Sequence, residues 1–378
     1  MTDYPITRPS FGNEEVEEVR ACLESGWVTQ GPRTQEFERM VAHRHAVAHG
    51  LATTSCTAAL HLATLALGLG EGDEVIVPAF TWITSASCAE YVGARAVFAD
   101  IDLDTFNLDP AAVRAAITPR TKAIVAVHLF GLAAPMDELK AIADKHGLKI
   151  IEDAACGLGT TYKGQPVGGI GDIGCFSFHP RKVVTTGEGG MVTTNSDELA
   201  ERVASFRNHG TTAGPAEAEP WGMNEFGELG YNLRLSDIQA AVGVAQMRKF
   251  DDLLAERRAC AARYNEYLAG LDDIARPLAG DAVGHSFQSY VIRVADGGYA
   301  RRNSIMSLLK AHGIQTRPGT HAVHTLGFYR DKYALRPNNF PKAAEAQDTT
   351  ITLPIFPGMT EDNQRFISEK VKEAVTGF

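Results

Sequence analysis

The chain has 378 residues, 44% of them hydrophobic and 22% charged, with a formal net charge of −10. That length predicts two or three domains and ample apolar material for a large core. The acidic balance argues against a nucleic-acid or anionic-membrane surface, which needs excess Lys and Arg, and leaves room only for a local basic pocket.

In chain order, the first two-thirds alternates helix and strand. A helical pattern over 55–69 leads to an apolar run at 75–78, then helix over 81–92 and a run at 96–100. Helix over 110–116 precedes a run at 123–128, and helix over 135–146 precedes one at 149–153. Further short apolar runs follow at 174–178 and 190–194. Continuous apolar strands separated by helices predict an α/β fold, a mostly parallel sheet covered on both faces. Residues 211–228, rich in Gly, Pro, Ala and Glu, read as a mobile loop. A single long helix is expected over 235–268, N-capped by Ser236 and bridging two domains. The remainder, with a strand at 289–294 and a helix near 301–312, fits a smaller α+β domain. We divide the chain into a large domain over 1–245 and a small one over 246–378.

No apolar run approaches the roughly 20 residues that cross a bilayer, and the first residues lack the layout of a signal peptide. The six cysteines show no CxxC pair or zinc spacing, so they read as reduced thiols of a cytoplasmic protein with no metal site.

Ligands of parallel sheets bind at the carboxyl ends of strands, and two polar residues, Asp153 and Ser177, stand at such ends. Lys182 follows Phe176-Ser-Phe-His-Pro-Arg and precedes the glycine-rich turn Thr185-Thr-Gly-Glu-Gly-Gly190. A lysine amine forms an imine with an aldehyde, and the aldehyde cofactor pyridoxal phosphate (PLP) also needs a carboxylate for its ring nitrogen, a role open to Asp153. Ser177 and the small-residue segment 54–60, with Thr57 adding a hydroxyl, suit a phosphate at a helix N-terminus; the segment reads equally as an ordinary N-cap. Trp82 offers a face for a planar ring or a core side chain. Asn232 and Arg234 can bind phosphate or carboxylate, or cap the following helix. His321 and His324 lack a third metal ligand and read as a substrate loop. No G-x-G-x-x-G follows a strand and no G-x-x-x-x-G-K-[ST] occurs, so nicotinamide and nucleotide-triphosphatase readings lose their motif.

Together with Gly72-Asp-Glu-Val-Ile-Val-Pro78, Thr105-Phe-Asn-Leu-Asp-Pro110, Val127-His-Leu-Phe-Gly131, Glu152-Asp-Ala-Ala155 and Gly230-Tyr-Asn-Leu-Arg234, these stretches resemble the DegT/DnrJ/EryC1/StrS family of PLP-dependent sugar aminotransferases. The resemblance implies the aspartate-aminotransferase-like fold and a homodimer with shared active sites. It implies Lys182 as the Schiff-base lysine and proton shuttle, Asp153 on the pyridine nitrogen, and Trp82 on the ring face. Ser177, Thr57 and the backbone at Cys56 would hold the phosphate, and Asn232 would reach the phosphate of the partner's cofactor. His324, or else His321, would face the sugar. Cys156 stands where many relatives carry Gln or His against the cofactor's phenolic oxygen; a thiol is a weaker partner. Lysine at 182, rather than the histidine of a dehydrating branch, implies amine transfer. The implied reaction moves an amine from L-glutamate to the keto group of a nucleotide-linked keto-deoxysugar, first a 4-keto-6-deoxyhexose as in perosamine-type synthases. A 3-keto sugar or keto-cyclitol, another enzyme of the same fold, or a non-catalytic regulator are the alternatives.

Overall fold

Seven short strands rich in Val, Ile and Ala pair into the central sheet: β1 (His49–Thr53), β2 (Glu74–Pro78), β3 (Arg95–Ala99), β4 (Thr121–Val127), β5 (Lys149–Asp153), β6 (Ile173–Ser177) and β7 (Gly190–Thr194). The computed structural model describes residues 4–213, 221–278 and 284–377. Strand order is β1-β7-β6-β5-β4-β2-β3. The β2–β3, β2–β4, β4–β5 and β5–β6 pairs are parallel, and β7 runs antiparallel to both β1 and β6.

The strands read as continuous apolar runs because both faces are covered. Side chains alternate across a strand, so Val75 and Val77 of β2 and Ile151 of β5 enter one core layer, while Ile76 and Ile150 enter the other. The first layer is closed by α3 (Cys56–Ala66), α4 (Thr84–Tyr91) and α7 (Asp197–Arg207). The second is closed by α2 (Pro32–Arg44), α6 (Met136–His146) and α8 (Asp237–Arg248). The helix α5 (Pro110–Ala116), N-capped by Asp109, contributes Val113 to that second layer.

The long helix expected over 235–268 is two helices. Ser236 does cap the first, α8, its hydroxyl accepting from the Gln239 N–H. Lys249 then leaves helical geometry at φ −105°, ψ 14°, and α9 spans Phe250–Tyr267. No proline or glycine marks the break. It lets α8 lie against α1 (Asn13–Ser25) and α2 while α9 changes partners along its length. Phe250, Leu253 and Leu254 belong to the sheet core, whereas Cys260, Ala261 and Tyr264 belong to a third cluster around β8 (Ile274–Ala275), β9 (Tyr290–Val294) and β10 (Thr350–Leu353). Helices α10 (Gly298–Ala311) and α11 (Glu361–Thr376) complete that cluster, and Tyr4 stacks on its Phe366.

Within the expected loop 211–228, the flanks Thr211–Ala213 and Glu225–Phe226 pair as antiparallel strands; residues 214–220 lie outside the described residues. Among the described residues, no helix is long and apolar enough to cross a membrane.

Candidate active site

The parallel strands β4, β5 and β6 end side by side at Val127, Asp153 and Ser177, and the chain reverses around a cavity of about 420 Å³ at those ends. Because side chains alternate, the consecutive carboxylates Glu152 and Asp153 leave β5 on opposite faces. Asp153 lines the cavity and is 4% exposed. Its Oδ2 accepts from the Ser85 hydroxyl at 2.6 Å and its Oδ1 from the Ala155 N–H at 3.1 Å. The Ser85 hydroxyl is itself 2.9 Å from that of Thr81.

Lys182 sits in the turn after β6, its N–H donating to the His179 carbonyl. Its Nζ reaches into the same cavity, 3.2 Å from Cys156 Sγ. The opposite wall is the start of α3. Ser55 is the N-cap, accepting from the Ala58 N–H, and the first-turn residues Cys56 and Thr57 line the cavity. First-turn N–H groups lack intrahelical acceptors and carry the positive end of the helix dipole. Gly190 is what lets β7 approach this turn: a Cβ there would stand 2.4 Å from the Ser55 carbonyl and 2.6 Å from the Cys56 nitrogen. Burial, reinforced by Asp153, pushes the Cys56 thiol well above its ordinary pKa, and the same causes push Cys88 up to about 12. Neither is a thiolate nucleophile at neutral pH.

Phe130 also lines the cavity with φ at 57°. This left-handed conformation costs a phenylalanine about 1–3 kcal/mol and is characteristic of functional walls. Trp82 is 53% exposed at the mouth and meets the His321 ring edge-on, centroids 5.4 Å apart.

Seven of the expected site residues therefore share one cavity: Lys182, Asp153, Trp82, Ser177, Cys56, Thr57 and Cys156. Asn232 and Arg234 do not line it. Asn232 is exposed, its backbone bridged to Asn208, and Arg234 donates to the Asn208 side chain at 2.6 Å. The two histidines are placed differently. His324 is fully buried, edge-on to Phe340, with Nε2 3.3 Å from the Pro337 carbonyl. His321 instead lines an adjoining cavity of about 380 Å³. The sequence reading missed Ser85, which orients Asp153, and Arg317, Gln288 and Thr320, which complete the walls. Arg317 lay within the polar cluster around His321; nothing local distinguishes Ser85 from any serine near a helix start.

An amine, a buried carboxylate held by two donors, a helix start and an exposed aromatic face are the donor set that PLP requires, so the residues present fit it. The profile of the DegT/DnrJ/EryC1/StrS aminotransferase family matches residues 9–372. The spore coat polysaccharide biosynthesis protein SpsC of Bacillus subtilis (strain 168) is 37% identical over 378 residues, covering 99% of this chain and 97% of SpsC. Spr1654 of Streptococcus pneumoniae, assigned as a sugar aminotransferase and solved in a PLP form, superposes with TM-score 0.94 at 31% identity, covering 100% of this chain and 99% of its own. Helicobacter pylori PseC, an aminotransferase involved in the biosynthesis of pseudoaminic acid, superposes with TM-score 0.93 at 27% identity over all of both chains.

Proposed function

This chain belongs to the DegT/DnrJ/EryC1/StrS family and is a PLP-dependent sugar aminotransferase; from that premise we propose that it moves an amine from L-glutamate to the keto group of a nucleotide-linked keto-deoxysugar. A 4-keto-6-deoxyhexose is the first candidate. The observation that carries the reading is the convergence of the Lys182 amine, the Asp153 carboxylate and the start of α3 on one cavity.

When bound, PLP supplies an aldehyde carbon and an electron-withdrawing ring. Lys182 Nζ takes the proton from the donor's Cα and in the second half-reaction delivers one to the sugar carbon that gains the amine. Asp153, oriented by Ser85 and the Ala155 N–H, holds a proton on the ring nitrogen. The N–H groups of Cys56 and Thr57 and the Ser177 hydroxyl bind the phosphate dianion. Trp82 would cover the ring face, and the Cys156 thiol would be a weak partner for the phenolic oxygen. In a homodimer, the exposed Asn232 reaches the phosphate site of the second copy, and Arg234 supports that loop through Asn208. The large PLP-binding domain is assigned to 1–245 and the smaller one to 246–378, and the reaction to the cytoplasm.

The test is a spectral titration of PLP-loaded protein. The cofactor band bleaches with L-glutamate and returns with a nucleotide 4-keto-6-deoxyhexose. In Lys182→Ala the band shifts at the outset and turnover falls about 10⁴-fold or more. A wild-type band indifferent to glutamate, or one restored by no nucleotide keto-sugar, sinks the proposal.

A further inference from the structure

Cys156 is half-buried in the turn that follows β5, and it shares the wall of the inner cavity with Lys182. The Lys182 amine donates to its sulfur at 3.2 Å, a contact that the amine transfer itself does not use. Both ends of the contact are fixed through their backbone. The Cys156 carbonyl accepts from the Ser286 hydroxyl at 3.3 Å, and the Gly157 N–H donates to the Ala154 carbonyl. The Lys182 N–H donates to the His179 carbonyl, and the Arg181 carbonyl before it accepts from the Gln288 side-chain amide at 2.8 Å. A second cation, Arg317, lies within electrostatic reach of the thiol. Reactive cysteines sit in such electropositive, partly exposed surroundings, whereas thiols buried among apolar groups are inert. The other thiol of this wall is turned away: Cys56 Sγ donates to the Cys175 carbonyl at 3.7 Å. Cys22, Cys88, Cys175 and Cys260 are buried.

We propose that Cys156 and Lys182 are an oxidative modification site, at which a peroxide joins the sulfur to the amine as a reversible sulfenamide. In the first step the sulfur attacks a peroxide oxygen, the O–O bond breaks and water leaves, so sulfur is oxidised to sulfenic acid and the peroxide is reduced. In the second, the Lys182 nitrogen attacks that sulfur. The S–O bond breaks, an S–N bond forms, and the departing hydroxide takes the amine's proton away as water. The amine is already in contact with the sulfur, so it is placed to intercept the sulfenic acid before further, irreversible oxidation. A thiol reductant attacks the bridged sulfur and returns both side chains. The site and the cofactor compete for one nitrogen, and here the inference rests on the reading above. A Lys182 bonded to PLP is withheld from sulfur, whereas the amine-loaded form of the cofactor leaves it free. Peroxide therefore captures the enzyme between its two half-reactions and removes the base that the second one needs.

The experiment treats enzyme loaded with pyridoxamine phosphate, and enzyme loaded with PLP, with hydrogen peroxide and maps the tryptic peptides by mass spectrometry. Expected in the pyridoxamine-loaded enzyme is a cross-linked pair of peptides carrying Cys156 and Lys182, lighter than their sum by the two hydrogens that the oxidation removes, and separated again by dithiothreitol. In the PLP-loaded enzyme the link is about tenfold less abundant. In Lys182→Met the Cys156 thiol stops as a sulfenic acid that dimedone traps, and in Cys156→Ser no link forms. Cys156 recovered from the pyridoxamine-loaded wild type only unmodified or as sulfinic or sulfonic acid overturns the proposal. So does a bridge from Cys156 to Cys56 or to another nitrogen. A Cys156–Lys182 link that forms equally well in both loaded forms leaves the modification site standing and sinks Lys182 as the lysine that holds the cofactor.

Discussion

At the end of β5, the two faces of the sheet treat neighbouring carboxylates in opposite ways. Behind the sheet, Glu152 is fully buried and saturated. It accepts from the N–H groups of Gly168, Ile170 and Gly171 at 2.6–2.7 Å and from His128 Nε2 at 2.9 Å. The Ala134 N–H donates to His128 Nδ1, so the ring proton is on Nε2 and points at Glu152. Burial alone would raise the Glu152 pKa, but the His128 ring and the backbone donors overcome it and hold the carboxyl below its usual range. In front, Asp153 has two donors and an open cavity. A carboxylate whose acceptor sites are filled by backbone ties loops together; one left with spare capacity at a cavity wall is available to a ligand.

Substitutions on the two faces should therefore fail differently. Asp153→Asn keeps the shape, its oxygen still accepts from the Ala155 N–H, and the Ser85 hydroxyl can turn to donate to Thr81 and accept from the new amide, so the thermal midpoint stays near wild type while kcat falls about 10²–10⁴-fold. A large loss of stability with kcat preserved would reverse the assignment of the two faces. Glu152→Gln turns an amide group toward donors already in place. It should cost about 3–5 kcal/mol in urea unfolding, with kcat per folded molecule near wild type.

The rear face also predicts how the protein responds to acid. His45 packs on Phe176, donates from Nδ1 to the Val167 carbonyl, and has a pKa lowered to about 4, chiefly by burial. The unfolded chain takes up this proton near pH 6.5 and the folded one only near 4, so stability is full above 6.5 and declines as pH falls between those values. The decline is roughly 3 kcal/mol at most. Glu152 follows at lower pH: with its folded pKa depressed, its contribution is present above the ordinary carboxylate range and is lost as pH falls through the folded value. Urea midpoints from pH 8 to 4 should show the first decline, and His45→Gln should reduce it, leaving the share of His285, which burial holds down at about 3. The smallest effect is on the front face: Ser85→Ala removes one hydrogen bond to a charged group and should lower kcat about tenfold, with stability little changed.

Much of the site was legible because its residues sit at strand ends, where a change from apolar to polar is visible. Asp153 ends Lys149-Ile-Ile-Glu-Asp153, Ser177 ends β6, and Lys182 follows within one turn. The chain pattern also anticipated the alternation of helices and strands. It did not separate α8 from α9, since a break without proline or glycine is imposed by what each half packs against. It ranked His324 over His321 because two histidines three residues apart look alike until one is turned into the core.

The residue types and their spacing in the chain thus specified the chemistry: an amine, a carboxylate and a phosphate-sized helix start. Which polar groups face open space and which are spent on backbone was decided by packing. Ser85 reaches Asp153 across 68 residues, and Arg302 of α10 shares a cavity wall with Arg181 and Arg317. Such meetings depend on how helices and strands dock, and no local periodicity encodes them.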